Sequence, residues 1–216
     1  MLRHVSSRDI ARQHASIAYF AGLDLGQAQD YTALAILERQ GFSRETYTYT
    51  CRHLQRWQLR TSFQTIVADT ARMMNSREMH QGDKQPTLAV DATGLGAPVV
   101  DLFKAERMAA TLEPIQITGG SDVTNDNGVT RVPKRDLVST AQVFLQSDRL
   151  KIVPTLPDAQ TLTRELQNFQ VKITDNAHDT YGAWREGTHD DLVLAVALAL
   201  WMGENGADRT VYIFRR

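Results

Sequence analysis

The segment from Ala18 to Leu37 limits most strongly what this chain can fold into. Its sequence, AYFAGLDLGQAQDYTALAIL, is mostly apolar up to Leu25, polar from Gly26 to Asp30, and apolar again afterwards. Two short apolar runs joined by a turn predict a β-hairpin. The first strand of this hairpin delivers one carboxylate, Asp24, at its end. We interpret Asp24 as the first ligand of a metal site.

Two later segments also place acids beside an apolar element. TLAVDATGLG ends a short apolar run with Asp91, and THDDLVLAVALALW opens an apolar helix with Asp190 and Asp191. Taken singly, an acid beside glycine can serve as a turn or cap residue, and the helix dipole favours acids at a helix start. The recurrence of acids at three such places favours one shared site.

The whole pattern predicts an α/β fold with one mixed sheet flanked by helices. We expect a lead-in or linker over residues 1–16 and a single domain over residues 17–216, because a chain of 216 residues suits one core. The expected strands, the first three antiparallel, cover Ile17–Leu25, Tyr31–Glu38, Glu45–Leu54, Thr87–Asp91, Leu112–Thr118 and Leu150–Val153. The expected helices cover Phe63–Asn75, Pro98–Arg107, Val132–Leu145, Pro157–Asn168 and Asp190–Met202.

Three connecting regions complete the predicted organisation. Residues Ser76–Gln85 read as a polar loop. Gly119–Arg131, GGSDVTNDNGVTR, is the longest polar stretch and predicts a functional or mobile loop. Phe169–Thr174 and Thr180–Trp184 read as the two strands of a second hairpin.

Composition limits the functional class only broadly. The 42% hydrophobic and 23% charged residues are ordinary for a soluble globular protein. The single cysteine, Cys51, excludes an internal disulfide framework and a cysteine zinc cluster. No segment has the apolar length of a membrane span or a signal peptide, so we expect a soluble protein that is not exported. Because the net charge is −1, DNA binding would depend on local basic patches.

Acids converging from several elements are the donor set of two-metal phosphoryl chemistry. Carboxylate oxygens select Mg²⁺ or Mn²⁺, and two such ions about 3.5 to 4 Å apart clamp the attacking and leaving oxygens of a phosphodiester. Asp24 and Asp91 end strands that we expect to be neighbours, and a helix across those ends would bring Asp190 or Asp191 to them. The sequence therefore predicts a site for two divalent cations.

Several basic residues and one histidine are candidates for substrate contacts. Arg131, Lys134 and Arg135 could hold a DNA backbone without sequence preference, although Lys134 and Arg135 also suit a solvated helix start. His189, directly before the acid pair, could tune the site or contact phosphate, and it equally suits a surface position near a helix start.

Three motifs carry a resemblance to a known family. GLDLGQAQDYTALAIL, LAVDATGLGAPVVDLF and GTHDDLVLAVALALW resemble the nuclease domain of the large terminase subunit of tailed bacteriophages. That resemblance covers about Ala18 to Glu204 and implies a ribonuclease H-like fold. It also implies an endonuclease, dependent on Mg²⁺ or Mn²⁺, that cuts concatemeric double-stranded viral DNA.

The resemblance implies specific site residues and partners. Asp24 matches the first-strand acid, Asp91 the second-strand acid, Asp190 and Asp191 the terminal-helix acids, and His189 a position near the metals. Which residue of the Asp190–Asp191 pair binds metal directly stays open. The implied partners are double-stranded DNA, the terminase ATPase domain, the small terminase subunit and the portal, in the cytoplasm of a bacterial host.

One departure from the family leaves other functions open. A complete large terminase carries an ATPase motor, whereas this chain has no G-x-x-x-x-G-K-[ST] phosphate loop, so we expect an excised domain or a naturally short relative. A Holliday junction resolvase would use similar acids on the same fold. A non-catalytic module that docks on DNA or on the motor is a further alternative. DLGQAQDYT also resembles a phosphate motif of actin-like sugar kinases, but those proteins need two lobes.

Overall fold

The computed structural model describes residues 15–26, 30–94, 96–170 and 190–206. Within these ranges the strands are β1 Ser16–Asp24, β2 Ala33–Gly41, β3 Thr48–Arg56, β4 Thr87–Asp91, β5 Thr111–Thr118, β6 Thr124–Asp126, β7 Val129–Pro133 and β8 Leu150–Ile152. The α-helices are α1 Phe63–Met74, α2 Gly96–Ala105, α3 Lys134–Gln146, α4 Ala159–Gln170 and α5 Asp191–Asn205. None of these helices combines the length and the apolar character needed to cross a bilayer.

All eight described strands form one mixed sheet in the order β6-β7-β5-β4-β1-β2-β3-β8. Strands β1, β2 and β3 are antiparallel neighbours, β4 joins β1 in parallel, and β5 and β7 continue the parallel half. The prediction of three antiparallel strands followed by helices and parallel strands is confirmed. The hairpin predicted from the Ala18–Leu37 segment therefore occupies the centre of the sheet.

Strand β1 is buried on both faces, which explains its nearly continuous apolar sequence. Because side chains alternate along a strand, Ala18 and Phe20 pack on the face covered by α3, α4 and α5, and Tyr19, Ala21 and Leu23 pack on the face covered by α1 and α2. The same alternation puts Asp24 on the α5 face, four residues beyond Phe20.

Helix α5 is buried from Asp191 to Glu204, which fits its apolar sequence on all sides. It lies across β1, and Gly22 permits the close approach, because a Cβ there would lie 2.7 Å from the amide nitrogen of Ala199 and still closer to the Ala195 carbonyl oxygen. The helix begins one residue later than predicted, with Asp190 as its N-cap, and ends at Asn205 instead of Met202.

The predicted loop over Gly119–Arg131 is wrong. This stretch contains the β6–β7 hairpin, and its turn places Asn127 and Gly128 at φ values of 51° and 80°. Asn-Gly is a strong signal for a two-residue hairpin turn, because both positions tolerate positive φ. The polar composition of the stretch hid that signal, since β6 is fully exposed at the sheet edge.

Smaller differences also have local causes. Residues Arg44–Thr46 form a 3₁₀ turn capped by Ser43, so β3 begins at Thr48 instead of Glu45. The expected loop Ser76–Gln85 contains a second 3₁₀ turn, Arg77–His80, which buries Met79. Of the predicted second hairpin, Phe169 and Gln170 belong to α4, and the rest lies outside the described residues.

Cys51 provides a built-in reporter of the core. Its side chain is fully buried on β3, and burial raises the pKa of the thiol to about 12. A thiol that is both inaccessible and protonated reacts slowly with alkylating reagents. Labelling of this single cysteine therefore measures opening of the core between the sheet and α5.

Candidate active site

Asp24 and Asp91 lie at the carboxyl ends of adjacent parallel strands. The last registered pair of β1 and β4 is Leu23 with Val90, and each acid follows directly. Neighbouring strands lie about 4.8 Å apart, and positions in parallel register point to the same face. Both acids therefore share the α5 face of the sheet. Asp24 is 7% exposed and Asp91 3% exposed.

The start of α5 brings the second pair of acids to the same end of the sheet. Asp191, the first residue of the helix, is 4% exposed, and its N-cap Asp190 is half-buried. Both line one cleft together with Asp24. The remaining lining residues come from the loops and elements around it: Leu25, Gly26, Asp30, Thr93, Ile117, Lys134 and Leu194.

Asp91 has an observed structural role in the turn after β4. Its Oδ1 accepts a hydrogen bond from the backbone N–H of Thr93 at 2.8 Å, and the Thr93 hydroxyl oxygen accepts one from the N–H of Ile117 at 2.8 Å. Within the described part of the chain, Thr93 lines the cleft and Asp91 does not. Asp91 therefore stabilises the turn that carries Thr93, a residue of the cleft lining.

The turn after β1 contributes an acid that sequence reasoning did not select. Asp30 is exposed and lines the cleft beside Gly26. The N–H of Gly26 donates to the hydroxyl of buried Thr32 at 3.1 Å, which ties the two ends of the turn together. A Cβ on Gly26 would collide with the backbone of Asp30 and Tyr31, so the turn requires glycine for close approach.

Two further residues that sequence reasoning missed contact the first turn of α5. Arg56, the last residue of β3, donates from its Nη2 to Asp191 Oδ2 at 3.0 Å and also forms an ion pair with Glu165 of α4. Glu165 Oε2 accepts hydrogen bonds from the backbone N–H groups of Leu192 at 3.1 Å and Val193 at 3.2 Å. Burial raises the pKa of Glu165 to about 7, although Arg56 and the Val193 amide act in the opposite direction.

The three basic residues predicted to hold DNA lie in different surroundings. Lys134 is half-buried and lines the cleft. Arg131 is an exposed residue of β7. It pairs with Asp126 at 3.3 Å and donates a hydrogen bond to the Gln116 side chain at 3.1 Å. Arg135 donates to the carbonyl oxygen of Ser121 at 2.6 Å. Only Lys134 among these three lines the cleft together with the acids, and a role of all three in DNA binding stays a prediction. His189 lies outside the described residues.

The chemistry of the cleft fits a hard divalent cation. Asp24, Asp190 and Asp191 supply carboxylate oxygens, which Mg²⁺ and Mn²⁺ prefer, and no thiol or imidazole lines the cleft within the described ranges. Within the described ranges, no group of three Asp, Glu, His or Cys side chains is already spaced to hold a metal ion.

Comparison with known proteins gives a family match and a shared fold. The model of the terminase RNase H-like domain family matches residues 21–202. A human cytomegalovirus terminase nuclease domain, soaked with manganese and bound to an inhibitor, has a TM-score of 0.58 at 14% identity over 94% of this chain and 90% of its own. A second manganese-soaked structure of that domain has a TM-score of 0.55 at 14% identity over 97% and 93%.

The large terminase nuclease of the thermophilic phage G20c has a TM-score of 0.48 at 17% identity over 85% of this chain and 81% of its own. No curated protein matches the sequence significantly. The family match confirms the expected relation to terminases and their RNase H-like domain, and the cytomegalovirus structures show that the fold is shared.

Proposed function

Because the chain belongs to the terminase RNase H-like family, we propose that it is the divalent-metal-dependent DNA endonuclease domain of a large terminase. Its reaction is the cutting of concatemeric double-stranded viral DNA by phosphodiester hydrolysis. The observation that carries this proposal is the convergence of Asp24, Asp190 and Asp191 on one cleft at the carboxyl end of the central strands. The manganese soaks of the similar cytomegalovirus nuclease domains add support for Mn²⁺ or Mg²⁺.

Each residue of the site has a distinct task in this proposal. Asp24, Asp91 and the Asp190–Asp191 pair would hold two Mg²⁺ or Mn²⁺ ions. When bound, such ions stabilise the negative charge on the attacking and leaving oxygens. Lys134 contacts a non-bridging phosphate oxygen and positions the DNA backbone. His189 contacts phosphate beside the acid pair.

The partners follow from the same function. Residues 17–216 act as one nuclease domain that follows a linker, residues 1–16. The domain binds double-stranded DNA and works with the terminase ATPase domain, the small terminase subunit and the portal in the cytoplasm of a bacterial host.

The direct test of the function is cleavage of supercoiled plasmid. We expect nicked and linear products with Mn²⁺ or Mg²⁺ and none with EDTA, because the carboxylates of the cleft need a cation to act on a phosphodiester. Product formation that persists in EDTA would contradict metal dependence. Plasmid binding without cleavage in either metal would favour a non-catalytic binding module.

Replacing Lys134 with glutamine is expected to weaken DNA binding by a similar factor for every DNA sequence. It should also make the negative slope of the logarithm of affinity against the logarithm of salt concentration shallower by about 1, because one phosphate contact and its counterion are lost. Fluorescence anisotropy with a labelled duplex at several salt concentrations measures both quantities. Arg72→Gln is the matched control, and its affinity and salt slope should stay unchanged, because Arg72 lies on α1, which covers the face of the sheet opposite to the cleft. Equal changes in both variants would contradict the assignment of Lys134.

A further inference from the structure

We propose that Arg56 and Glu165 are positioning residues that hold the Asp191 carboxylate in the cleft for cation binding. This inference rests on the proposed nuclease function. Neither residue belongs to the motifs that indicated the site, and the two lie 109 positions apart in the sequence. They meet only because the end of β3 and the middle of α4 both lie beside the start of α5.

Glu165 fixes the first turn of α5. The first N–H groups of a helix have no partner within the helix, and a carboxylate there also complements the helix dipole. Glu165 is 7% exposed and accepts from two of these groups, at Leu192 and Val193. The carboxylate of α4 thereby ties the helix start, and with it Asp191, to a neighbouring element.

Arg56 connects this anchor to the acid itself. Its Nη2 bonds to both Glu165 and Asp191, and its guanidinium lies 4.8 Å from the centre of the Tyr31 ring. Arg56 pairs across the sheet with Ala33, which in turn pairs with Asp24, so the contact is made at the same strand ends as the cleft. Its side chain is only 17% exposed, which limits competition from water.

The charges explain why such a bridge favours cation binding. Asp191 and Glu165 are two buried carboxylates, and they would repel each other without a positively charged group between them. Arg56 compensates that repulsion and fixes Asp191 Oδ2 in one orientation. Groups that orient a metal ligand are commonly worth 10- to 100-fold in metal affinity. The Arg56 bridge therefore orients the Asp191 carboxylate for binding a divalent metal ion.

The test is to measure Mn²⁺ binding directly, in the absence of DNA, by isothermal titration calorimetry. Arg56→Gln is expected to raise the Mn²⁺ dissociation constant about 10-fold or more. Arg56→Lys keeps a cation between the carboxylates and should recover affinity to within about threefold of wild type. The matched control is Arg52→Gln on the same strand. Arg52 forms an ion pair with Glu38 at a distance of 2.9 Å, and neither residue lines the cleft, so the Mn²⁺ affinity of this variant should stay unchanged.

Cys51 labelling in each variant verifies that the core is closed, so that a loss of affinity cannot arise from unfolding. Should Arg56→Gln not fold, Glu165→Gln provides the same test with the same expected loss. If a folded Arg56→Gln or Glu165→Gln protein binds Mn²⁺ as tightly as the wild type, or more tightly, the positioning role is wrong and the proposed function is unaffected. A wild-type protein that binds no Mn²⁺ would overturn the proposed function and the inference together.

Discussion

Replacing Asp24 with asparagine is expected to reduce the rate of metal-dependent plasmid cleavage by about 10³-fold, close to 4 kcal/mol of transition-state stabilisation. Asparagine has the size of aspartate but lacks its charge, so it cannot supply the ionised oxygen that a divalent cation requires. Asp24 is the site acid supplied by the central strand β1, at 7% exposure. The measurement is the rate of nicking of supercoiled plasmid in Mn²⁺ and in Mg²⁺.

The control for this variant is Asp101→Asn. Asp101 is an exposed acid of α2, paired with Lys104 at 3.4 Å, and α2 covers the opposite face of the sheet. Its cleavage rate should equal that of the wild type. Asp24→Asn should keep Cys51 protected from labelling, because the substitution changes no packing volume. Cleavage by a folded Asp24→Asn protein at the wild-type rate would refute Asp24 as a metal ligand.

Replacing Gly22 with alanine is expected to lower the free energy of unfolding by about 3 kcal/mol, the upper end for overpacking in a core. A methyl group at this position would meet the backbone of α5 at Ala195 and Ala199, and backbone cannot rotate away as a flexible side chain can. Either α5 moves off β1 or the strand distorts. The measurement is urea denaturation, with Cys51 labelling as an independent probe of the same core.

Gly119→Ala is the matched control, because nothing beyond its chain neighbours lies within 4 Å of a methyl group at that position. Its stability should change by no more than about 0.5 kcal/mol. A displaced α5 also moves Asp191 away from Asp24, so any folded fraction of Gly22→Ala should bind Mn²⁺ more weakly. A wild-type unfolding midpoint for Gly22→Ala would contradict the contact between α5 and β1.

The sequence by itself determined the central hairpin, the apolar last helix and the acids at their ends. These features follow from short-range patterns, since a strand buried on both faces must be apolar throughout and a helix buried all round must be apolar on every side. Asp24, Asp91 and Asp191 stand out in such segments because a charged residue there has no packing role. The Asn127–Gly128 turn was equally local, but the polar strand beside it concealed the hairpin.

The tertiary structure alone decided which charged groups surround the acids. Arg56 lies 135 positions from Asp191, and each is an ordinary charged residue in its own segment. Glu165 is polar in a helix of mixed composition and reads as solvated, yet the packing of α4 against α5 buries it. Strand order likewise decided that Asp24 and Asp91 share the α5 face, because β4 pairs with β1 in parallel. Long-range pairing of this kind depends on where elements meet in space, and no local periodicity encodes that.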